Sequence, residues 1–352
     1  MLAHLRGIAW LLGLTVAICC VLYPLALWGS GQAAFRQQAE GSLIEKDNEV
    51  VGSRLIGQPF PSSDGKGYFH ARPSSAGSTP NGYDARASGP SNLAASNVKL
   101  RNQVARLLGG NARFRSPKDK EGQPVGPDVE AWFARADRVT PWAKDNEALT
   151  KLWVAADPLN KTYVEEWSGQ PGHADLVALW KNDNRDAGDK PKAEDLAPYF
   201  FADFARVHPG QWPVPDDKKD DKGNTVKDDK GQAVREMTLV TAGDDLQQTF
   251  FESWFQAEKP DLKPVPADMV LGSGSGLDPH ITRKNAEYQA ARVAEERARA
   301  RKMDPAVVKK VVDDLIGKHS FSPMWGLAGG DELVHVTELN LALDRAMEEF
   351  KP

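Results

Sequence analysis

The chain has 352 residues, 41% hydrophobic and 26% charged, with a formal net charge of −5 and a sequence pI near 5.9. That balance fits a water-soluble globular body and excludes a broad basic surface, so no nucleic-acid partner is expected. Both cysteines, Cys19 and Cys20, lie in one apolar run, which excludes a disulfide framework or cysteine-ligated zinc in the rest of the chain.

That run, Ile8–Gly29, reads IAWLLGLTVAICCVLYPLALWG without a charged side chain. At about 1.5 Å per residue it reaches roughly 33 Å, enough to cross a hydrocarbon core of about 30 Å. Residues 1–30 are therefore predicted to form a single N-terminal transmembrane anchor in the lipid bilayer. A cleaved signal peptide is the alternative, with Gly31-Gln32-Ala33 as its marginal cleavage site, but the run is longer than the roughly 7–15 residues of such a leader. A lipoprotein site fits poorly, because Ile18 and not a small residue precedes Cys19. Pro24 inside the span is read as a tolerated kink. His4 and Arg6 on one side, against Arg36, Glu40, Glu45, Lys46 and Asp47 on the other, lean the amino end toward the cytoplasm. The bulk is then expected on the exoplasmic, or periplasmic, side of a cell inner membrane.

After the anchor, Leu43–Ile44, Val50–Val51 and Leu55–Ile56 read as strand segments around turn residues, and Gln58 to Asn97 as a long loop. Gly110 to Pro264 differs in character. It holds Trp132, Trp142, Trp153, Trp167, Trp180, Trp212 and Trp254, seven of the ten tryptophans, which need a core or a partner surface. WFARADRVTPWAKDNEALTKLW, HADLVALW and QQTFFESWF look helical, whereas Asp216 to Gly231, with KDDKG at Lys219 and again at Lys227, reads as a solvated loop or hairpin tip. The tryptophans are expected to pack on the remaining core or on other subunits.

Toward the carboxyl end a helix is predicted from about Thr282 to Lys302 with a solvated Arg/Glu-rich face. Asp304-Pro305 opens a second helix that Gly317 can end. Val334-His335-Val336 reads as a short strand and Glu338 to Phe350 as a closing helix. Strands and helices without regular alternation predict an α+β fold: one N-terminal transmembrane helix and a mixed extramembrane core interrupted by a mainly helical insertion.

The conspicuous soluble motif is Ser273-Gly274-Ser275-Gly276-Leu277-Asp278-Pro279-His280. It lacks the Gly-Lys-Ser/Thr of a P-loop, and Leu277 stands where a dinucleotide fingerprint requires glycine. Neither serine has glycines two residues away on both sides, as a nucleophile elbow requires. Asp278 and His280 are only two potential metal ligands, so no metal site is expected. A structural loop leading into a helix is the reading these residues favour. The chemical alternatives are an anchored exoplasmic hydrolase using Ser273 or Ser275 with His280 or His335, and a free-standing binding protein.

GSLIEKDNEVVGSRLIGQPF, GYFHARPS, ASGPSNLAASN, GSGSGLDPHIT, AARVA and HVTELNLALD occur in that order along the chain. In this series the sequence resembles the KdpC family, the C subunits of Kdp potassium-transporting P-type ATPases, over roughly residues 8–109 and 265–352. The resemblance implies a discontinuous core domain over 31–109 and 265–352, with 110–264 as an insertion of a longer variant. It also implies partners: a channel-like Kdp A subunit that selects potassium, a P-type Kdp B subunit phosphorylated by ATP, and a small Kdp F subunit. The chain carries no DKTG phosphorylation motif, so it is expected to be catalytically silent alone, supporting assembly and raising the ATP affinity of the B subunit. ATP is then the only cofactor expected, reached through the complex, and direct contact with the LDPH loop conflicts with the expected topology. Tyr68, Phe69, His70 and Arg72, with Ser273, Ser275, Asp278 and His280, are candidate interface or structural residues; none is assigned a catalytic role. His280 and Asn285 are read as fixing the loop to the following helix. For His173 and His208, inside the insertion, the family offers no guide.

Overall fold

A computed structural model describes residues 2–46, 48–60, 67–76, 83–184, 191–220, 225–243, 246, 248–327 and 329–349. In chain order the elements begin with α1 (Leu2–Val16), a π-helical segment (Ala17–Leu22), α2 (Tyr23–Ala34), α3 (Arg36–Ala39), β1 (Leu43–Lys46) and β2 (Glu49–Ser53). There follow α4 (Val98–Asn111), α5 (Gly126–Phe133), α6 (Ala136–Asp145), α7 (Glu147–Ala156), α8 (Pro158–Ser168), α9 (Ala174–Asp183) and α10 (Ala193–Val207). Then come β3 (Gln211–Asp217), β4 (Arg235–Thr241), α11 (Gln248–Glu258), β5 (His280–Thr282), α12 (Arg283–Arg301), α13 (Pro305–His319), β6 (Ser320–Phe321), β7 (Leu333–His335) and α14 (Val336–Glu349). The chain divides into two compact units, residues 1–91 with 271–352 and residues 92–270.

In the first unit the amino-terminal run is one helical rod from α1 through α2, long and apolar enough to cross a membrane over His4–Ala34. Pro24 has no N–H to donate and its ring displaces the carbonyl a turn earlier; the widened π-helical segment immediately before it absorbs the mismatch. β1 and β2 form an antiparallel hairpin from Leu43 opposite Ser53 to Lys46 opposite Glu49. Leu55–Ile56 is not a strand: only a single bridge between Ser53 and Ile56 forms there. The described residues from 58 to 97 carry no helix or strand.

A three-stranded antiparallel sheet of order β5-β7-β6 leads into the helices. Thr282 caps α12 by accepting from the Asn285 N–H, and Lys302 ends it in the left-handed region at φ 55°. Asp304 accepts from the Ala306 N–H at 2.8 Å and Pro305 opens α13. Gly317 does not end that helix, which runs on to His319. Val336 begins α14 instead of closing the strand before it. The alanine-rich face of α12 (Ala286, Ala290, Ala294, Ala298) is buried with Val308, Val312 and Ile316 of α13 and Leu339, Leu343 and Met347 of α14.

Into this helical layer is threaded the extended segment 67–71, whose backbone is hydrogen-bonded by side chains in place of a neighbouring strand. Asn340 accepts from the Phe69 N–H at 2.9 Å and donates to the Phe69 carbonyl at 3.0 Å. Gln289 does the same for His70, at 2.8 and 3.0 Å. Arg292 donates to the Tyr68 carbonyl at 2.9 Å and Arg297 to that of Gly67 at 3.0 Å. The Arg/Glu-rich face of α12 is thus not wholly solvated. Arg297 is buried, ion-paired to Asp344 at 2.8 Å and set 4.5 Å over the Tyr68 ring. Gly67 sits at φ +62° with α12 so close that an added Cβ would lie 2.9 Å from the Val293 carbonyl. Phe69 is fully buried, contributing about 1.5–3 kcal/mol by area.

The second unit has its own core. Its entering and leaving strands pair, with Phe114 bridged to Leu262, Arg115 N–H donating to the Asp261 carbonyl at 2.9 Å and Lys263 N–H to that of Arg113 at 2.8 Å. The long run from Trp132 to Trp153 divides among α5, α6 and α7. All seven tryptophans are buried in the cluster that forms this unit's own core, with its phenylalanines, where the sequence led us to expect the remaining core or other subunits as their packing surface. Trp153 stacks on Phe200 at 5.6 Å between centroids, while Trp212 meets Phe201 at 4.2 Å and Phe250 at 5.3 Å. β3 and β4 pair in register from Gln211 opposite Thr241 to Asp217 opposite Arg235. Beyond them the described residues of the Lys/Asp-rich tract are mostly exposed and close in a turn with Gly231 N–H on the Asp228 carbonyl.

Two outcomes follow from the threaded segment. Asn340→Leu leaves the Phe69 N–H and carbonyl buried without partners, at a cost of about 2–4 kcal/mol. Hydrogen exchange of α12 and α14 amides in the detergent-solubilised chain reads it; a loss below about 1 kcal/mol would show these bonds to be incidental. His70, half-buried beside Arg292, has its pKa lowered to about 4 from 6.5, first by desolvation and then by that charge, and its Nε2 has no partner among the described residues. The unfolded chain therefore holds the extra proton between these values. Stability is full above pH 6.5 and falls toward pH 4, by up to about 3 kcal/mol. Unfolding of wild type and His70→Gln compared across that window should show the difference, and parallel curves would refute it.

Candidate functional site

The motif loop 272–280 forms one wall of a shallow cleft of about 450 Å³ in the first unit, lined by Arg54, Arg72, Ser273, Gly274, Ser275 and Asp278 to His280, with Leu55 at its edge. Its shape is set by backbone bonds from distant segments. Gly57 N–H donates to the Leu277 carbonyl at 2.7 Å and Gly89 N–H to that of Ser275 at 2.9 Å; the Ser74 hydroxyl reaches the Gly276 carbonyl at 2.5 Å. Gly276 has φ +69°, and a Cβ there would lie 2.8 Å from the Gly89 carbonyl, so only glycine fits the crossing. Tyr83 donates to the Arg72 carbonyl at 2.6 Å; burial, then the nearby Asp278 charge, raise its pKa to about 12.

Asp278 organises the cleft. Its Oδ1 accepts from the His280 backbone N–H at 3.0 Å and faces His280 Nδ1 at 2.9 Å, while Oδ2 lies 3.7 Å from the Arg72 guanidinium. Burial alone would raise its pKa, but the two His280 bonds and the charges of His280 and Arg72 outweigh it and hold the carboxyl below the usual range. Arg72 also donates to the Gly272 carbonyl at 3.1 Å. Five of the eight candidate residues, Arg72, Ser273, Ser275, Asp278 and His280, thus meet in one cleft. Tyr68, Phe69 and His70 belong to the threaded segment, and for Phe69 only the internal-packing reading fits. Asn285, buried, accepts from Gln289 at 2.7 Å and so joins that network.

The hydrolase alternative fails on geometry. Ser273 Oγ accepts from the Asp278 N–H at 3.4 Å and Ser275 Oγ from the Leu277 N–H at 3.1 Å; among the described residues neither hydroxyl bonds His280 or His335. His335 is fully engaged: Nδ1 accepts from the Glu338 N–H at 3.3 Å, so Nε2 carries the proton donated to the Arg54 carbonyl at 3.0 Å. Burial lowers its pKa, in keeping with that neutral ring. No group of three metal-ligating side chains is found among the described residues. Sequence reading missed Arg54, which pairs with Glu338 at 2.8 Å and supplies the opposite wall; its only signal was its place in the GSRLIG stretch.

Comparison with known proteins agrees with the motif series. The family model described as KdpC, K+-transporting ATPase, c chain, matches residues 5–129 and 239–345, leaving 130–238 as an insertion. The chain is similar to the protein named potassium-transporting ATPase KdpC subunit in Caulobacter vibrioides, 42% identical over 143 residues, 38% of this chain and 70% of the relative. It is similar to that of Gemmatimonas aurantiaca, 41% identical over 140 residues (37% and 66%), and that of Mycobacterium bovis, 50% identical over 101 residues (29% and 50%). With the apolar amino-terminal helix, these relatives point to a membrane protein. Matched in two blocks that cover most of its length and split by an insertion, the chain belongs to the KdpC family.

Proposed function

We propose that this chain is the accessory subunit of an ATP-driven potassium importer, holding a channel-like A subunit and a P-type B subunit together, with a small F subunit completing the complex. The α1–α2 rod anchors it beside their membrane helices, the amino end faces the cytoplasm, and the bulk of the chain lies outside. The observation that carries this reading is the use to which the family motifs are put. Their polar side chains are spent on building a rigid core, and a prebuilt polar cleft in that unit presents part-exposed Arg72, Asp278 and His280 with no nucleophile–base pair among the described residues. Docking of such a cleft needs no chemistry from this chain. An influence on ATP affinity then acts through the B subunit, whose conformational states this subunit binds unequally.

Gly274 offers a clean test, since a Cβ added there meets nothing within 4 Å. Gly274→Trp fills the cleft without disturbing the fold. The tagged variant, purified in mild detergent from cells grown at limiting potassium, should melt like wild type. It should lose at least about tenfold in co-purified A and B subunits and in potassium-stimulated ATPase activity, roughly 1.4 kcal/mol of association. Unchanged recovery of both would remove the cleft from the assembly surface.

A further inference from the structure

The inserted unit carries a cavity that nothing in the family match explains. It measures about 230 Å³ and is walled by Tyr163, Glu166 and Trp167 of α8 and by Asp203, Phe204 and His208 at the end of α10. At its base sits Asp203, whose side chain is only 6% exposed. One oxygen, Oδ2, is held by the protein: Trp167 Nε1 donates to it at 3.2 Å and His173 Nε2 lies at 3.1 Å. His173 is fixed in turn by its Nδ1, 2.7 Å from the Trp167 carbonyl, and by stacking on the indole at 4.6 Å. Among the described residues the other oxygen, Oδ1, meets only Arg206, at 2.7 Å, and that arginine is 68% exposed. A buried carboxylate oxygen is thus capped by a solvated guanidinium three residues away on the same helix.

We propose that this cavity is a binding site for a small organic cation, whose charged nitrogen displaces Arg206 from Asp203 Oδ1 and lies among the rings of Tyr163, Trp167 and Phe204. Aromatic faces beside a desolvated carboxylate favour a weakly hydrated cation with a bulky nitrogen head. The volume admits a head of that kind and is below the range of about 300–1,000 Å³ usual for drug-sized ligands. Glu166 at the rim adds a second negative charge. The same chemistry exists in a free ammonium compound and in a basic side chain of another protein; the size of the cavity favours the free compound.

The test uses the full chain in detergent, labelled with 15N-tryptophan, with the Trp167 indole resonance assigned through Trp167→Phe. That N–H donates to Asp203, so it reports occupation of the site directly. Titration with tetramethylammonium chloride should shift it saturably. Sodium chloride and the neutral isostere 2,2-dimethylpropan-1-ol should not. Arg206→Gln, which removes the internal competitor, should tighten binding about twofold or more, and Asp203→Asn, checked for fold by its remaining indole resonances, should abolish it. Tighter binding of Nα-acetylarginine methylamide than of tetramethylammonium would overturn the assignment to a free compound. An equal shift with the neutral isostere, no saturation, or weaker binding by Arg206→Gln would overturn the site itself.

Discussion

A buried stretch of extended chain must find partners for its N–H and carbonyl groups, and in this protein it finds them on side chains. Segment 67–71 lies where a strand would need a neighbouring strand. Asn340 and Gln289 take that part, each supplying one donor and one acceptor in the spacing of a peptide group. An amide side chain does both at once without carrying charge. Tyr68, Phe69 and His70 are thereby locked to α12 and α14, helices whose bonding residues lie more than two hundred positions further along the chain. The buried Arg297 belongs to the same arrangement. Its charge is tolerable there because Asp344, the Gly67 carbonyl and the Tyr68 ring all face it.

The cleft depends on that framework. Arg72 stands two residues beyond His70, so its position against Asp278 follows from the locking of the segment before it. Asp278 holds His280 by ring and backbone together, and the loop that carries them is tied down by Gly57, Ser74 and Gly89. Side chains held this firmly lose little entropy when a partner arrives, which suits recognition.

The inserted unit solves a different problem. The pairing of residues 113–115 with 261–263 forms a neck between family-matched stretches that flank the 130–238 insertion. Above that neck, rings from α5, α6, α7, α10, β3 and α11 meet mostly edge to face, an arrangement that buries much apolar area with few residues. The family-matched residues on either side of the insertion extend into this unit, so α4 and α11 join inherited sequence to the added module.

Local rules were enough for much of this molecule. The apolar run, the helix start near Thr282 and the cap at Asp304, the strand segments of β1 and β2, the helical character of the Trp-rich region and the family itself were legible because each rests on neighbours in sequence. The readings that failed were those needing a distant partner. Leu55–Ile56 has strand propensity but no strand to pair with; Gly317 continues its helix because Ile316 is held in the core; Arg292 and Arg297 look like solvated residues until the backbone of 67–69 arrives beneath them. The tryptophans advertised burial without saying against what. The sequence by itself determined the elements, the anchor and the kinship, since hydrophobic period, capping and motif order are one-dimensional signals. Which polar groups satisfy which was decided only by the tertiary structure, because a buried hydrogen bond is fixed by geometry between residues the chain order keeps far apart.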